Sequence, residues 1–383
     1  MKYRKFGSTN EKVSALGFGC MRLPTTDQKP SSGFIDEKET IKMVRFAIDQ
    51  GVNYIDTAYG YHEGKSEEVV GKALQNGYRD KVMLATKMPI WLVESQSDFD
   101  HFLNIQLQRL KTDWVDAYLL HNLKKATYLR LVELGIFSWA EKSIANGKFR
   151  YFGFSSHEPF SIFKDYIDSY DGWSIVQIQY NYMNEDVQAG TRGLKYAADK
   201  ELAVVIMEPL LGGTLANPHP DILALMKHSK NYRSPVDWAF QWLWNKPEVS
   251  TVLSGMTTFE QVQQNIVSAC QSGINSLTQE EFDIITQVQY QYSSMNPIPC
   301  TRCGYCMPCP NQVDILRNFE LYNTARVFHQ MDLNRNIYQN VFPNEMHADQ
   351  CLQCGICEEK CPQHIPIRDW LKEVEKALGK EYS

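Results

Sequence analysis

Residues 53–61 read Asn53-Tyr-Ile-Asp56-Thr-Ala-Tyr-Gly-Tyr61, a short apolar run that stops on a carboxylate. The pattern recurs downstream. Val82-Met-Leu-Ala-Thr-Lys87 stops on an amine, and Trp114-Val-Asp-Ala-Tyr-Leu-Leu-His121 stops on an imidazole. Brief, mostly apolar runs of this kind fit strands buried on both faces. Working outward, similar runs occupy 14–19, 151–156, 175–181, 203–209 and 249–255, which makes eight. Amphipathic helical stretches such as 37–50, 99–110 and 188–200 lie between them. Strands alternating with helices imply an α/β chain with a parallel sheet. Eight units in about 255 residues match a closed (β/α)8 TIM barrel better than an open doubly wound sheet.

The chain has 383 residues, enough for such a barrel and a smaller second domain. The expected division is a barrel over 1–275, a helical connector over 276–296 and a small, mainly α-helical domain over 297–383. A net charge of -6 without a long Lys/Arg block argues against a nucleic-acid partner. The first residues carry no apolar segment of signal-peptide type, and no run approaches the ~18 apolar residues of a membrane span. The expectation is a cytoplasmic protein with no membrane partner.

In a barrel of this kind the carboxyl ends of the strands form the active-site mouth. Asp56, Lys87 and His121 each end a strand there, and Tyr61 follows Asp56 closely. Their chemistry is complementary. An ammonium beside a phenol favours the phenolate and lowers a pKa that is otherwise near ~10. A carboxylate beside the lysine keeps it charged. Tyr61 then acts as general acid toward a carbonyl oxygen that His121 orients. Singly, each residue also has a structural reading: a buried Asp–Lys pair, or a locally satisfied histidine.

At these positions the sequence resembles the aldo-keto reductase superfamily, through Asp56-Thr-Ala-Tyr-Gly-Tyr61, Gly64-Lys-Ser-Glu67, Lys87 and Leu119-Leu-His-Asn122, with an opening hairpin and Gly17-Phe-Gly-Cys-Met-Arg22 before them. The resemblance covers residues 1 to about 270. It implies Asp56, Tyr61, Lys87 and His121 as a catalytic tetrad, with Tyr59 the local competitor of Tyr61. It also implies a nicotinamide cofactor across the mouth. Ser155, Ser156 and Gln177 match positions that hold the carboxamide. Gly19, Cys20, Met21, Met207, Glu208, Leu210 and Gly212 match further contacts, with Gly255, Met256, Thr257, Gln261, Gln264 and Asn265 at the phosphate end. Gly255, Met256 and Gln261 stand where many relatives carry Lys or Arg for the NADP 2′-phosphate, so NAD and NADP both remain open. Substrate specificity is expected in 122–130 and 210–233. His62 and His157 flank matched residues and read equally well as loop polarity.

Eight of the ten cysteines lie between Cys300 and Cys361. Clustered cysteines in a cytosolic chain point to metal. Cys351-x2-Cys354-x2-Cys357-x3-Cys361-Pro362 has the bacterial ferredoxin spacing, and Cys300-x2-Cys303-x2-Cys306-x2-Cys309-Pro310 is one residue shorter in its last gap. Zinc competes for paired Cys-x2-Cys, but two four-cysteine groups ending in Cys-Pro favour two [4Fe-4S] clusters. In such motifs the fourth cysteine serves the other cluster. The expected sets are Cys300, Cys303, Cys306 with Cys361, and Cys351, Cys354, Cys357 with Cys309. The whole chain resembles aldo-keto reductases with a ferredoxin extension. The leading expectation is an NAD(P)H-dependent oxidoreductase acting on a small carbonyl or alcohol, with a redox partner protein for the clusters. A nucleotide-binding redox sensor and a flavin-bridged electron-transfer enzyme are the alternatives.

Overall fold

The computed structural model describes residues 1–29, 31–300 and 304–380. The chain forms two compact units: Met1–Ala216 with Arg233–Thr278, and Asn217–Tyr232 with Gln279–Ser383.

The first unit opens with an antiparallel hairpin of β1 (Tyr3–Lys5) and β2 (Lys12–Ser14). Eight parallel strands follow: β3 (Leu16–Gly19), β4 (Tyr54–Asp56), β5 (Met83–Met88), β6 (Val115–Leu120), β7 (Phe149–Ser156), β8 (Ile175–Gln179), β9 (Ala203–Met207) and β10 (Val249–Gly255). They pair in chain order, and β10 returns to β3 with Val252 opposite Leu16 and Gly255 opposite Gly19, so the barrel closes. The run expected as one strand over 14–19 is divided. Ser14 ends the hairpin, giving its hydroxyl to Leu16 O at 2.6 Å and its N–H to Asn53 Oδ1 at 2.6 Å.

Period two decides what fills the barrel, because alternate side chains of a strand share one face. Tyr54, Met83, Ala85, Ala117, Leu119, Ile175, Ala203, Val205 and Leu253 make the interior cluster. Phe6 and Val13 of the hairpin segment join it, covering the end opposite the strand carboxyl termini. Arg4 is buried there and donates to the carbonyls of Val249, Trp244 and Lys246.

The second unit is helical, as the sequence indicates. Its helices include Pro220–Met226, Gln279–Ser294, Ile315–Val327, Met331–Asn340 and Ile367–Leu378. Phe319, Leu321, Tyr322, Leu371, Val374 and Leu378 form its core together with Cys361. Two segments group differently from the sequence-based division. The stretch 217–232, placed with the barrel above, folds here with Ile222 and Met226 buried and Asn231 donating to Glu281 at 3.4 Å. The connector helix belongs to the same unit. Among the described residues no helix is long and apolar enough to cross a membrane.

One close approach tightens the seam between β7 and β8. Gly153 of β7 faces Ile175 of β8, and a Cβ at Gly153 would lie 2.0 Å from the Ile175 carbonyl oxygen. Backbone cannot yield as a flexible side chain would, so Gly153→Ala is expected to destabilise the barrel by about 1–3 kcal/mol or more. A urea titration of the barrel transition should show a lower midpoint at unchanged slope. A parental midpoint would show that the strands can part without cost.

Candidate active site and cysteine-lined site

The inward columns of the strands end in polar side chains. Tyr54 is followed two residues on by Asp56, Ala85 by Lys87, Leu119 by His121, and Ile175 by Gln177. Continuing the period past the apolar layer therefore brings all four to the same mouth. Tyr61 reaches it from the loop after β4, in a segment whose next two residues, His62 and Glu63, are left-handed (φ 52° and 55°). His62 fixes that conformation: its Nε2 accepts from Leu23 N–H at 3.0 Å, leaving Nδ1–H to donate to Ser32 O at 2.7 Å. Loop anchoring, not mouth lining, is the role of His62.

The Lys87 ammonium uses all three of its donors. It gives them to Asp56 Oδ1 at 2.6 Å, Thr57 O at 2.9 Å and the Tyr61 hydroxyl at 3.2 Å. Lys87 and Asp56 are 1% and 2% exposed, so the pair is dry. Burial opposes the Lys87 charge, but Asp56 and then Tyr61 lift its pKa above the ordinary lysine value. Tyr61 differs from expectation. Burial pushes its phenol up, and the Lys87 ammonium pulls it back only in part, so the net shift is upward. The phenol stays protonated at neutral pH. Tyr59 does not compete, since its ring lies under the Arg109 guanidinium at 4.4 Å and its carbonyl accepts from Arg109 Nη1 at 3.3 Å.

His121 stands edge-on to Tyr61, with ring centroids 5.7 Å apart. Burial, followed by the charges of Lys87 and His157, lowers its pKa to about 3. It is a neutral imidazole, and its Nδ1 has no hydrogen-bond partner among the described residues. Trp91, 49% exposed, lies against it at 5.3 Å. Nothing in the sequence marks Trp91 beyond its place four residues after Lys87.

The chain has counterparts among known proteins. The aldo/keto reductase family model matches residues 15–289 and the 4Fe-4S dicluster domain model matches 299–365. The chain belongs to the aldo/keto reductase family. It is 28% identical over 311 residues to the uncharacterized oxidoreductase YqkF of Bacillus subtilis, covering 73% of this chain and 94% of that one. The methylglyoxal reductase YeaE of Escherichia coli is 32% identical over 187 residues, 47% of this chain and 61% of YeaE. Among solved structures, the holo form of aldo-keto reductase AKR11C1 from Bacillus halodurans superposes with a TM-score of 0.62 at 28% identity, covering 75% and 96% of the two chains. A Klebsiella pneumoniae aldo/keto reductase in complex with NADP and acetate gives 0.60 at 25% identity, covering 75% and 95%.

In this aldo/keto reductase barrel the expected cofactor contacts divide by what their polar atoms already do. Gln177 is 2% exposed and its Oε1 has no partner among the described residues, a buried acceptor waiting for a donor. Ser155, opposite Gln177 in the sheet, accepts from Asn122 N–H at 2.8 Å, which leaves its own proton to donate. Ser156 differs from expectation: its hydroxyl donates to Leu123 O at 3.1 Å and accepts from Glu158 N–H at 3.1 Å, so it holds the loop. Met256 is fully buried, and Asn265 gives its amide N–H to Ser254 Oγ at 3.1 Å. Gln261 Oε1 accepts from the N–H groups of Thr257 and Thr258, and Thr258 caps Gln261 in return. Gln264 bonds Glu260 on the exposed helix face. Cys20 is fully buried and its thiol is pushed up by burial and then by Asp56. Gly19 is buried beside it, whereas Met21 is 51% exposed. After β9 the loop runs through left-handed Glu208, Leu211, Gly212 and Gly213, with Met207 and Leu210 half-buried. The Arg22 side chain lies across Gly255 and reaches toward Gly212, and no ion pair holds it among the described residues.

The second site draws on both cysteine motifs. Cys309 lines one cavity with Cys351, Cys354 and Cys357, joined by Arg368, which Glu358 clamps at 2.9 Å. Gln353 directs its backbone and side-chain N–H groups at Cys351 Sγ, each at 3.4 Å. Cys300 and Cys306 pack against the core that contains buried Cys361. Cys303 lies outside the described residues.

The His121 environment makes a direct prediction. An ordinary histidine is half protonated near pH ~6.5, whereas this one should remain neutral from about pH 8 to 5. Ring-nitrogen chemical shifts of His121 should stay at neutral values throughout. A midpoint between pH 6 and 7 would show that water reaches the ring freely.

Proposed function

We propose that this aldo/keto reductase reduces small carbonyl compounds, and oxidises the corresponding alcohols, with NAD(P)H, and that its C-terminal domain holds two [4Fe-4S] clusters. The observation that carries the first part is the Lys87 ammonium bonded at once to Asp56 and Tyr61. Bound nicotinamide supplies the hydride. As negative charge develops on the carbonyl oxygen, Tyr61 gives up its phenolic proton to it, and Lys87 stabilises the phenolate left behind. Asp56 keeps Lys87 charged and aimed. His121, being neutral, contributes one N–H to orient the same oxygen without competing as an acid. Trp91 presents apolar surface beside it, which suits a small aldehyde such as methylglyoxal or benzaldehyde.

The residues at the mouth fit the nicotinamide. A carboxamide has an NH2 for Gln177 Oε1 and an oxygen for the Ser155 hydroxyl. Arg22 supplies the positive charge for a phosphate that Gly255, Met256 and Gln261 do not. Cys309, Cys351, Cys354 and Cys357 would hold one cluster, and Cys300, Cys303, Cys306 and Cys361 the other. Clusters transfer single electrons, which implies a protein redox partner for that domain.

Tyr61→Phe removes only the proton donor, so carbonyl reduction should fall by about 10²–10⁴ while nucleotide affinity is kept. Turnover equal to the parent would take Tyr61 out of this role. For the clusters, anaerobically prepared protein should contain about eight irons per chain. Cys309→Ser should damage the cluster of the second motif, although Cys309 belongs to the first. Loss confined to the first-motif cluster would overturn the crossed ligand sets.

A further inference from the structure

Beneath the tetrad lies a carboxylate that the proposed chemistry does not use. Glu67 is fully buried at the start of the helix Ser66–Ala73. Its Oε1 accepts from Thr86 Oγ1 and from Gln106 Nε2, both at 2.6 Å, and its Oε2 accepts from Arg109 Nη1 at 3.2 Å. Thr86 points outward from β5 because it alternates with inward Lys87, so Glu67 grips the lysine strand from behind. Gln106 and Arg109 come from the next helix, Ser97–Leu110, whose last turn approaches the Glu67 helix closely. A Cβ on Gly71 would lie 2.5 Å from Arg109 O.

Both partners then reach the active-site backbone. Gln106 Nε2 also donates to Lys87 O at 3.0 Å, and its own Oε1 is locked by Tyr118 hydroxyl at 2.7 Å. Arg109 Nη1 donates to Tyr59 O, two residues before Tyr61. Gly64, left-handed at φ 88°, borders this guanidinium, and a Cβ there would make only ordinary contact with its terminal nitrogens at 3.5 Å. One carboxylate thus organises two donors, one fixed on the lysine strand end and the other on the tyrosine loop.

Resting on the proposed carbonyl chemistry, we infer that Glu67 is a positioning residue: acting through Gln106 on the Lys87 carbonyl and through Arg109 on the Tyr59 carbonyl, it sets the separation of the Lys87 ammonium and the Tyr61 hydroxyl. The alternative is a buried polar cluster that stabilises the barrel and nothing more. The two differ in consequence. Lys87 opposes the burial that raises the Tyr61 pKa, and this opposition falls with distance. If Glu67 sets that distance, weakening its hold on Arg109 moves the Tyr61 titration upward and slows proton transfer. A merely structural cluster changes stability alone.

Glu67→Gln is the informative substitution. It keeps an oxygen for Thr86 and Gln106 but turns a donor toward the Arg109 guanidinium. The full chain, its Glu67→Gln form and its Arg109→Gln form are compared in benzaldehyde reduction and benzyl alcohol oxidation against pH. Nucleotide affinity is measured by titration, and the Tyr61 phenol is titrated by NMR on tyrosine-labelled protein. In Glu67→Gln, kcat should fall by up to about 10², the loss expected of a displacement on the order of 1 Å. Nucleotide affinity should stay at the parental value, and both the apparent pKa of alcohol oxidation and the Tyr61 midpoint should rise. A folded Glu67→Gln with a parental Tyr61 midpoint and kcat overturns the inference, whatever its melting temperature. Should Glu67→Gln not fold, Arg109→Gln, whose side chain is partly exposed, is judged by the same two readouts and the same result overturns it. A parent chain that reduces neither benzaldehyde nor methylglyoxal would count against the proposed function, and the Tyr61 midpoint then decides the positioning role alone.

Discussion

The buried bond between the Lys87 ammonium and the Asp56 carboxylate is the interaction on which the site depends. Removing two charges from water is expensive, and the mutual attraction repays it only when geometry is good and the remaining donors are satisfied. Here the ammonium has no idle donor: the two bonds beyond Asp56 go to a strand-end carbonyl and to Tyr61. Breaking such a pair by removing one partner leaves an uncompensated charge and commonly costs about 3–5 kcal/mol. The closed barrel makes the pair possible. It holds two neighbouring strands in register, with Asp56 opposite Ala85, so that Lys87 on the next inward position meets Asp56 without either side chain being free to reach water.

That geometry explains which parts of the molecule were legible in the sequence. Strand period and apolar runs locate Asp56, Lys87, His121 and Gln177, because a column of inward side chains that changes from apolar to polar marks the mouth. The cysteine motifs are legible for a similar reason: spacing alone puts their thiolates on one loop, and Cys309 does line the cavity of Cys351, Cys354 and Cys357. What spacing does not reveal is whether a polar atom is already occupied. Ser156 looks equivalent to Ser155, but its hydroxyl holds Leu123 and Glu158. Gln261 looks like an open phosphate contact, but it closes a capping box. Arg22 was visible as a residue and invisible as a neighbour of Gly255, since the two are joined only when β10 pairs with β3.

The direction of the Tyr61 shift teaches the same lesson in electrostatics. From sequence, a lysine beside a tyrosine means a lowered phenol pKa. In the fold, the burial needed to make the lysine pair strong also desolvates the phenol, and that larger effect wins. On the proposed chemistry the phenol is held protonated, and the Lys87 ammonium limits an upward shift that would otherwise weaken it as an acid. A protonated phenol kept beside a fixed ammonium needs no prior proton uptake, and the ammonium acts when the phenolate forms. His121 follows the same logic from the other side, because burial next to Lys87 removes its charge and makes it a neutral donor.

The segment after β9 shows how a second domain constrains an enzyme barrel through the chain itself. In the sequence, 210–233 reads as one specificity-bearing stretch. The structure divides it: the glycine-containing loop up to Ala216 belongs with the barrel, while 217–232 folds with the C-terminal helices, Ile222 and Met226 buried among them. A loop whose far end is committed to another core cannot vary freely in length or conformation. Its adaptability is therefore concentrated in the few residues before the switch, where Glu208, Leu211, Gly212 and Gly213 already occupy left-handed backbone. Two of these are not glycine, and such residues rarely adopt that region without being held there. On the proposed carbonyl chemistry this loop therefore offers fewer substrate contacts than its length suggests, and Trp91, outside it, forms the wall beside His121.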